Sequence, residues 1–376
     1  MLAPRIAADG DEIERDRRLP PSLVAALAGA GIFRMLVPRS LGGGEVSVAT
    51  FSRVVETIGG ADGSTAWCVS QAAVSATVAA FLPPESAREI FGQPGAIMAQ
   101  GVGQQPRAMP AAGGYRVTGK WSFASGCRHA TWLNAAGPVY DADGTPLRRS
   151  DGSPESRIMM FPAGQAEIHD TWQVSGLRGT GSDTYAIRDL FIPEERTVSW
   201  PRDAERREPG PLYAFSTGLL FATGFASAAL GIARGALDAF EALAGVKQPR
   251  AHQTLLRDNP IEQVRVAHAE AALRAARAFL HESIDAAWET ATRGNEPTIE
   301  QRVLLRLAAT SAIHRAAEVT RTAYHAAGAT AIFESNPFER RFRDVHAVSQ
   351  QIQASDTHYA ATGRFFFGLE PPSTSL

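Results

Sequence analysis

The spacing of apolar residues changes twice along this chain and predicts three regions. In residues 1–95 apolar side chains recur every three or four positions, which is typical of helices. In residues 96–205 the period shortens to two, and glycine and proline separate short segments, as expected for strands. In residues 206–376 the helical spacing returns, most clearly at 261–292 and 298–327. We therefore expect a mainly α protein with a central β domain between an N-terminal helical domain and a C-terminal four-helix bundle.

The middle region contains the most informative strand, residues 114–126. Large apolar and polar side chains alternate along it, so Trp121 and Phe123 are predicted to share one face with the Ser125 hydroxyl. Gly126 would let another group approach the backbone closely. This pattern suits a flat heteroaromatic ring with a polar edge, but it also fits a strand whose aromatic residues only fill a core. The five strands predicted in this region are 97–101, 115–125, 132–139, 157–161 and 185–192.

The composition favours a water-soluble protein. The 376 residues are 44% hydrophobic and carry a formal net charge of −2, so we expect neither nucleic acid nor an anionic membrane as a partner. Cys68 and Cys127 are too few for a disulfide framework or a zinc cluster, and no metal site is predicted. The start of the chain lacks a secretory apolar segment, and we expect a cytoplasmic location.

Two further segments could hold a polar ligand. Residues 170–183 include Gly179-Thr-Gly-Ser182, whose backbone N–H groups and hydroxyls suit a phosphate or the polar edge of a ring, although such loops are usually only turns. The segment is neither a Walker loop nor a Rossmann turn. Residues 336–344 contain three arginines and two carboxylates. These could pair with one another, bind a cofactor phosphate or contact a neighbouring subunit.

Four motifs together resemble the acyl-CoA dehydrogenase superfamily. They are Asp62-Gly-Ser-Thr-Ala-Trp67, Trp121-Ser-Phe-Ala-Ser-Gly126, Gly176-Leu-Arg-Gly-Thr-Gly-Ser182 and Glu339-Arg-Arg-Phe-Arg-Asp-Val-His346. The resemblance covers nearly the whole chain, and it is closest to the branch of two-component flavin-dependent monooxygenases. It implies an acyl-CoA dehydrogenase-like fold, with an N-terminal helical domain, a β-barrel-like middle domain and a four-helix bundle. It also implies a homotetramer.

The resemblance also implies a cofactor and a partner. A separate flavin reductase would supply reduced FMN or FAD, and a C4a-hydroperoxyflavin would oxygenate a small aromatic or otherwise electron-rich metabolite. The flavin would lie between the β domain and the bundle, where the Ser125 hydroxyl would accept a hydrogen bond from flavin N5–H. The residues implied to bind flavin are Gln100, Trp121, Phe123, Ser125, Gly126, Trp172, Thr180 and Ser182, with Phe333 and Arg343 reaching the flavin of a neighbouring subunit.

The catalytic bases of related enzymes have no counterpart here. The resemblance implies two histidines in phenol hydroxylases of this branch, at positions that match Ser75 and Gln351 in this chain. His129 and His346 are spare candidates for a base, and Gln351 could orient a substrate. A substrate that is already nucleophilic would need less help from a base. A dehydrogenase acting on a CoA-linked substrate would need a glutamate, but no carboxylate follows Asp344 until Asp356. A dehydrogenase and a non-catalytic scaffold remain the alternatives to an oxygenase.

Overall fold

The computed structural model describes residues 2–150, 152–200, 206–250 and 253–372, and its three regions follow the predicted order. The first region consists of helices joined by short turns. These helices are α1 (Ala3–Ala8), α2 (Gly10–Asp16), α3 (Pro21–Gly29), α4 (Val48–Ala61), α5 (Gly63–Ser75) and α6 (Pro84–Phe91).

A single extended residue sets α5 against α4. Asp62 has φ −153°, and its Oδ1 accepts a hydrogen bond from the Thr65 N–H at 2.6 Å. This cap satisfies one of the amide donors that the first turn of a helix leaves unpaired. Every residue of α5 is buried. The helix predicted at 66–81 is therefore a core element, although its last residues, Ala76–Phe81, form a 3-10 helix.

The described residues of the second region form two four-stranded sheets. Its strands are β1 (Met98–Gln100), β2 (Val102–Ala111), β3 (Gly114–Ala124), β4 (Trp132–Pro138), β5 (Ser156–Pro162), β6 (Glu167–His169), β7 (Asp183–Pro193) and β8 (Thr197–Trp200). One sheet has the order β1-β4-β5-β8 and the other β2-β3-β7-β6. β1 pairs with β4 in parallel, and the other neighbours are antiparallel.

The five predicted strands are present, but β2, β6 and β8 were not predicted. β2 contains Pro106 and Pro110. Proline has no N–H for a ladder hydrogen bond, so a segment with two prolines is not expected to form a strand. The structure tolerates Pro106 because the β2–β3 register shifts between Gln104 and Arg107, at a bulge that removes the need for a ladder hydrogen bond.

The third region is a helical bundle. Its helices are α7 (Thr217–Ala244), α8 (Pro260–Thr292), α9 (Ile299–Ala327), α10 (Pro337–Ser349) and α11 (Asp356–Phe366). The two helices predicted at 261–292 and 298–327 are α8 and α9. The other two helices that follow them are much shorter, since α10 has 13 residues and α11 has 11.

The N-terminal helices and the bundle share one hydrophobic core, to which Met98, Met160 and Val198 of the β region also belong, while most of the β region packs around a second core. Glycines let α4 and α7 approach closely: a Cβ on Gly231 would lie 2.2 Å from the Glu56 carbonyl oxygen. The proposed domains 1–95 and 206–376 are therefore packed as one body. The boundary between 205 and 206 adjoins residues 201–205, which lie outside the described residues.

Helix α7 meets the length and composition expected of a membrane span, and it is the one helix of the described residues that does. However, 94% of the most apolar 18-residue segment of α7 is buried within the structure. It packs against α4, α5 and α9, so its apolar surface is used by the protein core.

Candidate active site

A cavity of about 570 Å³ lies where the β region meets α5 and α7. The end of β3, the loop at 172–182 and the residues that follow α10 complete its wall. Several residues proposed from sequence line this cavity: Gln100, Phe123, Ser125, Trp172, Thr180, Ser182 and Gln351. Its place between β region and bundle is the one expected for the cofactor.

The end of β3 departs from its predicted alternation. The β3–β7 register shifts between Trp121 and Ala124, and Phe123 adopts φ +57°, a left-handed conformation that is uncommon outside glycine. Phe123 is 60% exposed as a result, whereas Trp121 is fully buried. The prediction that these two rings share a face is therefore wrong. The Ser125 N–H donates to the Phe123 carbonyl at 3.0 Å, so a tight turn presents the hydroxyl to the cavity.

Three hydroxyl groups form a chain along the cavity wall. Trp67 Nε1 donates to Ser125 Oγ at 2.9 Å, and Ser125 Oγ lies 2.7 Å from Ser182 Oγ. Ser182 Oγ lies 2.6 Å from Thr180 Oγ1, which donates to the Leu177 carbonyl at 2.8 Å. Ser125, Ser182 and Thr180 are each at most 5% exposed, so water competes little for these bonds.

The direction of this chain follows from its two ends. A carbonyl only accepts, so the one proton of Thr180 goes to Leu177; Ser182 must then donate to Thr180, and Ser125 to Ser182. Trp67 only donates, and it uses one of the two lone pairs on Ser125 Oγ. Ser125 thus has one remaining lone pair and no free proton. It offers the cavity a hydrogen-bond acceptor.

A buried carboxyl group anchors the end of the chain. Leu177 has φ +51°, its carbonyl also accepts from Trp172 Nε1 at 3.0 Å, and its N–H donates to Asp344 Oδ1 at 2.6 Å. Asp344 lies on α10 and is 2% exposed. Burial, followed by the nearby charge of Asp62, raises the pKa of Asp344 to about 7.

Aromatic rings form two sides of the cavity. Trp67 stacks on Phe225 of α7 with ring centroids 3.8 Å apart and planes 5° from parallel, and Phe221 lies 5.6 Å beyond. Phe123 meets Trp172 edge to face at 6.0 Å. Flat apolar surfaces of this kind suit flat aromatic ligands.

The polar part of the remaining wall is made largely of amides. Gln71, Gln100, Gln350, Gln351 and Gln353 all line the cavity. Gln100 Oε1 accepts from Asn134 at 3.2 Å, and Gln351 Oε1 accepts from the Gln353 N–H at 2.8 Å. Among the described residues, no Asp, Glu, His, Lys or Arg lines this cavity. The described residues also contain no group of three His, Cys, Asp or Glu side chains that could hold a metal ion.

Three residues proposed for the chain's own site lie outside the cavity wall. Trp121 packs on Tyr185 inside the β region, with ring centroids 5.5 Å apart, so it is a core residue. Gly126 has φ +77°, and its N–H donates to the Thr180 carbonyl at 2.9 Å, which joins the Ser125 turn to the hydroxyl chain. His129 packs against Gly126, and burial lowers its pKa to about 4. It is placed neither to take a substrate proton nor to touch a ligand there.

The residues proposed to reach a neighbouring subunit differ from each other. Phe333 is 58% exposed, so its predicted contact stays a prediction. Arg343 instead forms hydrogen bonds within its own chain, to Glu339 at 2.7 Å, to Glu14 at 2.7 Å and to the Ser175 carbonyl. The structure thus shows self-pairing of this arginine within the chain, and its predicted contact with a neighbour's flavin stays a prediction.

Sequence reasoning missed several residues of the wall. Trp67 stands in a motif that was used to identify the family, but nothing local shows that its indole N–H meets Ser125, 58 positions away. Phe221 and Phe225 have the spacing of a buried helix face, which a core residue shows equally. Gln71 lies in a helix buried on all sides, where a polar residue is itself a signal of a site.

Comparisons with known proteins identify relatives of the whole chain. The model of the acyl-CoA dehydrogenase N-terminal domain matches residues 1–90, and that of the C-terminal domain matches residues 223–356. An indole-3-acetate monooxygenase of Pseudomonas putida is 35% identical, over 96% of this chain and 90% of that protein. The flavin-dependent monooxygenase oxygenase subunit HsaA of Mycobacterium tuberculosis is 30% identical, over 100% of this chain and 95% of its own. Among solved structures, XiaF from Streptomyces sp. in complex with FADH2 and glycerol superposes with a TM-score of 0.92 at 27% identity, covering 100% of this chain and 95% of that one.

Proposed function

We propose that this chain, which belongs to the acyl-CoA dehydrogenase family, is the oxygenase component of a flavin-dependent monooxygenase. It uses reduced flavin and O2 to oxygenate a small aromatic compound. Relatives that are named as monooxygenases, and that align with this chain over almost their full length, support this assignment. The flavin comes from a separate reductase, as the name "oxygenase subunit" of one relative suggests.

The observation that carries the proposal is the lone acceptor on Ser125. It lies in a cavity with aromatic walls, and every other hydrogen-bonding position of that hydroxyl is occupied. Reduced flavin carries an N5–H donor on a flat ring, so the residues present fit it. A buried acceptor without a partner costs free energy, and a ligand donor would relieve that cost.

Reduced flavin, when bound, reacts with O2 and supplies the activated oxygen atom. The chain's own residues bind the ring, hold the N5 proton through Ser125 and keep water out. The aromatic rings of Phe225, Phe221 and Trp67 serve the last purpose, since they are at most 9% exposed. Thr180 and Ser182 keep the Ser125 hydroxyl in one orientation.

The glutamines support an aromatic substrate that reacts without a protein base. Amide groups can orient N–H, hydroxyl or carbonyl groups but cannot take up a proton at neutral pH. A ring that is nucleophilic without ionisation, such as an indole, meets this condition. A dehydrogenase would need a carboxylate to remove a proton, and none lines the cavity in the described part of the chain.

The test combines purified protein with chemically reduced FMN or FAD, O2 and a panel of indoles and phenols. We expect oxygenated product from at least one indole and, with Ser125→Ala, loss of product in favour of hydrogen peroxide. Bleaching of bound oxidised flavin by an acyl-CoA, without reduced flavin, would instead identify a dehydrogenase. Absence of flavin binding would identify a scaffold and contradict the proposal.

We further propose a homotetramer in the cytoplasm. The exposed pairs Ile332–Phe333 and Phe366–Phe367 support self-association, because neighbouring large apolar side chains are seldom left in water. Size-exclusion chromatography with light scattering measures the mass of the assembly, and a mass equal to one chain of 40.1 kDa would contradict the tetramer.

A further inference from the structure

The orientation of the hydroxyl chain has a consequence for which redox form of flavin the site accepts. We propose that Ser182 and Thr180 are positioning residues that make the site selective for reduced over oxidised flavin. They do so by holding the Ser125 proton away from the cavity. This inference rests on the proposed function, since it concerns the ligand of the same cavity.

The chemistry of flavin N5 provides the contrast. In reduced flavin N5 carries a hydrogen and donates, whereas in oxidised flavin N5 has a lone pair and accepts. A serine hydroxyl with a free proton could serve both forms by rotating. Ser125 cannot, because its proton goes to Ser182, whose own proton goes to Thr180. Oxidised N5 would then face an oxygen lone pair, which repels it.

The chain has little freedom to reverse. Reversal would require Thr180 to give up its bond to the Leu177 carbonyl, which is buried with it. Trp67 cannot take the Ser125 proton, because an indole N–H only donates. The two fixed ends therefore determine the orientation of the three hydroxyls between them. Any other arrangement of these hydroxyls would lose one hydrogen bond.

The decisive variant is Ser182→Ala, which removes the acceptor of the Ser125 proton and leaves Ser125 itself in place. Anaerobic titrations give dissociation constants for oxidised and dithionite-reduced flavin. We expect the wild type to favour reduced flavin, and Ser182→Ala to lower that preference about tenfold, mainly by binding oxidised flavin more tightly. For a two-electron couple this lowers the midpoint potential of bound flavin by about 30 mV relative to the wild type.

Two further variants check the cause. Thr180→Val keeps the side-chain shape but frees the Ser182 proton, so we expect a smaller change in the same direction. Ser125→Ala removes both the acceptor for reduced N5–H and the lone pair that repels oxidised N5. We therefore expect it to weaken the binding of reduced flavin and not to weaken the binding of oxidised flavin. The matched control is Thr184→Val, which removes a buried hydroxyl two residues further along β7 that bonds to Ser122 and Thr171 instead. We expect Thr184→Val to leave the ratio of the dissociation constants for oxidised and reduced flavin unchanged.

The possible outcomes separate the two proposals. A ratio for Ser182→Ala within twofold of the wild type, in a folded protein that binds flavin, would overturn the selectivity inference and leave the oxygenase proposal standing. Binding of neither form by the wild type would overturn both. An equal change in Thr184→Val would show a general effect of buried hydroxyls and also overturn the inference.

Discussion

The buried carboxyl group of Asp344 is expected to make the wild type less stable as pH rises, and Asp344→Asn is expected to abolish this effect. Asp344 is 2% exposed, and its Oδ1 accepts the Leu177 N–H at 2.6 Å. Asparagine keeps an oxygen at that position, so Asp344→Asn retains this bond. It removes only the ability to ionise in a site where burial and the charge of Asp62 disfavour the anion.

The sign and size follow from the two pKa values. The carboxyl has a pKa of 3.8 in the unfolded chain and about 7 in the folded one. Between these values the unfolded chain loses the proton and the folded chain keeps it, so the unfolding free energy falls as pH rises. The linkage relation gives a loss of about 2.5 kcal/mol between pH 5 and pH 8. Above about pH 7 the loss levels off.

Urea unfolding of both proteins at pH 5, 6, 7 and 8 measures the effect. Other groups titrate in this range, but they cancel in the difference between wild type and Asp344→Asn. We expect that difference to move in favour of the variant as pH rises. Asp285→Asn, at an exposed position of α8, is the control and should show a constant difference. A constant difference for Asp344→Asn as well would refute the argument, since the carboxyl would then be ionised throughout.

Three further results are expected at the cavity. In Asp344→Asn, whose side chain cannot ionise, the turnover rate should vary little between pH 6 and 9 with a non-ionising indole, because no ionisable residue of the described chain lines the cavity; a bell-shaped profile would contradict this. Gln351→Ala should raise KM for the aromatic substrate about fivefold while leaving the dissociation constant of reduced flavin unchanged, and equal effects on both would place Gln351 at the flavin instead. Phe123→Gly should weaken flavin binding about tenfold yet leave the thermal midpoint unchanged or higher, since the ring is 60% exposed and φ is +57°; a lower midpoint would show that the ring supports the fold.

Much of the architecture was predictable because it depends on local periodicity. Helices α8 and α9 begin and end within one residue of the predicted positions, since Asn259 and Thr298 are clear caps. The sequence could not show that α10 is short or that β2 forms despite Pro106. Both depend on packing against neighbouring helices and strands, which the propensities of single residues do not describe.

The candidate site was predictable one residue at a time, but not as an arrangement. Ser125 was proposed from one motif, and Thr180 and Ser182 from another. The bonds among them and to Trp67 depend on the packing of α5 against the β region. Trp121 was misplaced for a different reason. A period of two assumes an unbroken ladder, and the bulge after Trp121 turns Phe123 out of the strand's buried face.

The parallel rings of Trp67 and Phe225 give the cavity an optical reporter of its own. Indole emission overlaps the absorption bands of flavin, so excitation of Trp67 should pass to a flavin in the cavity with an efficiency that falls steeply with separation. The chain has six tryptophans, and subtracting the spectrum of Trp67→Phe, recorded with flavin at saturating concentration in both proteins, isolates the emission of this one. Arrival and departure of the cofactor could then be followed in real time without attaching a dye.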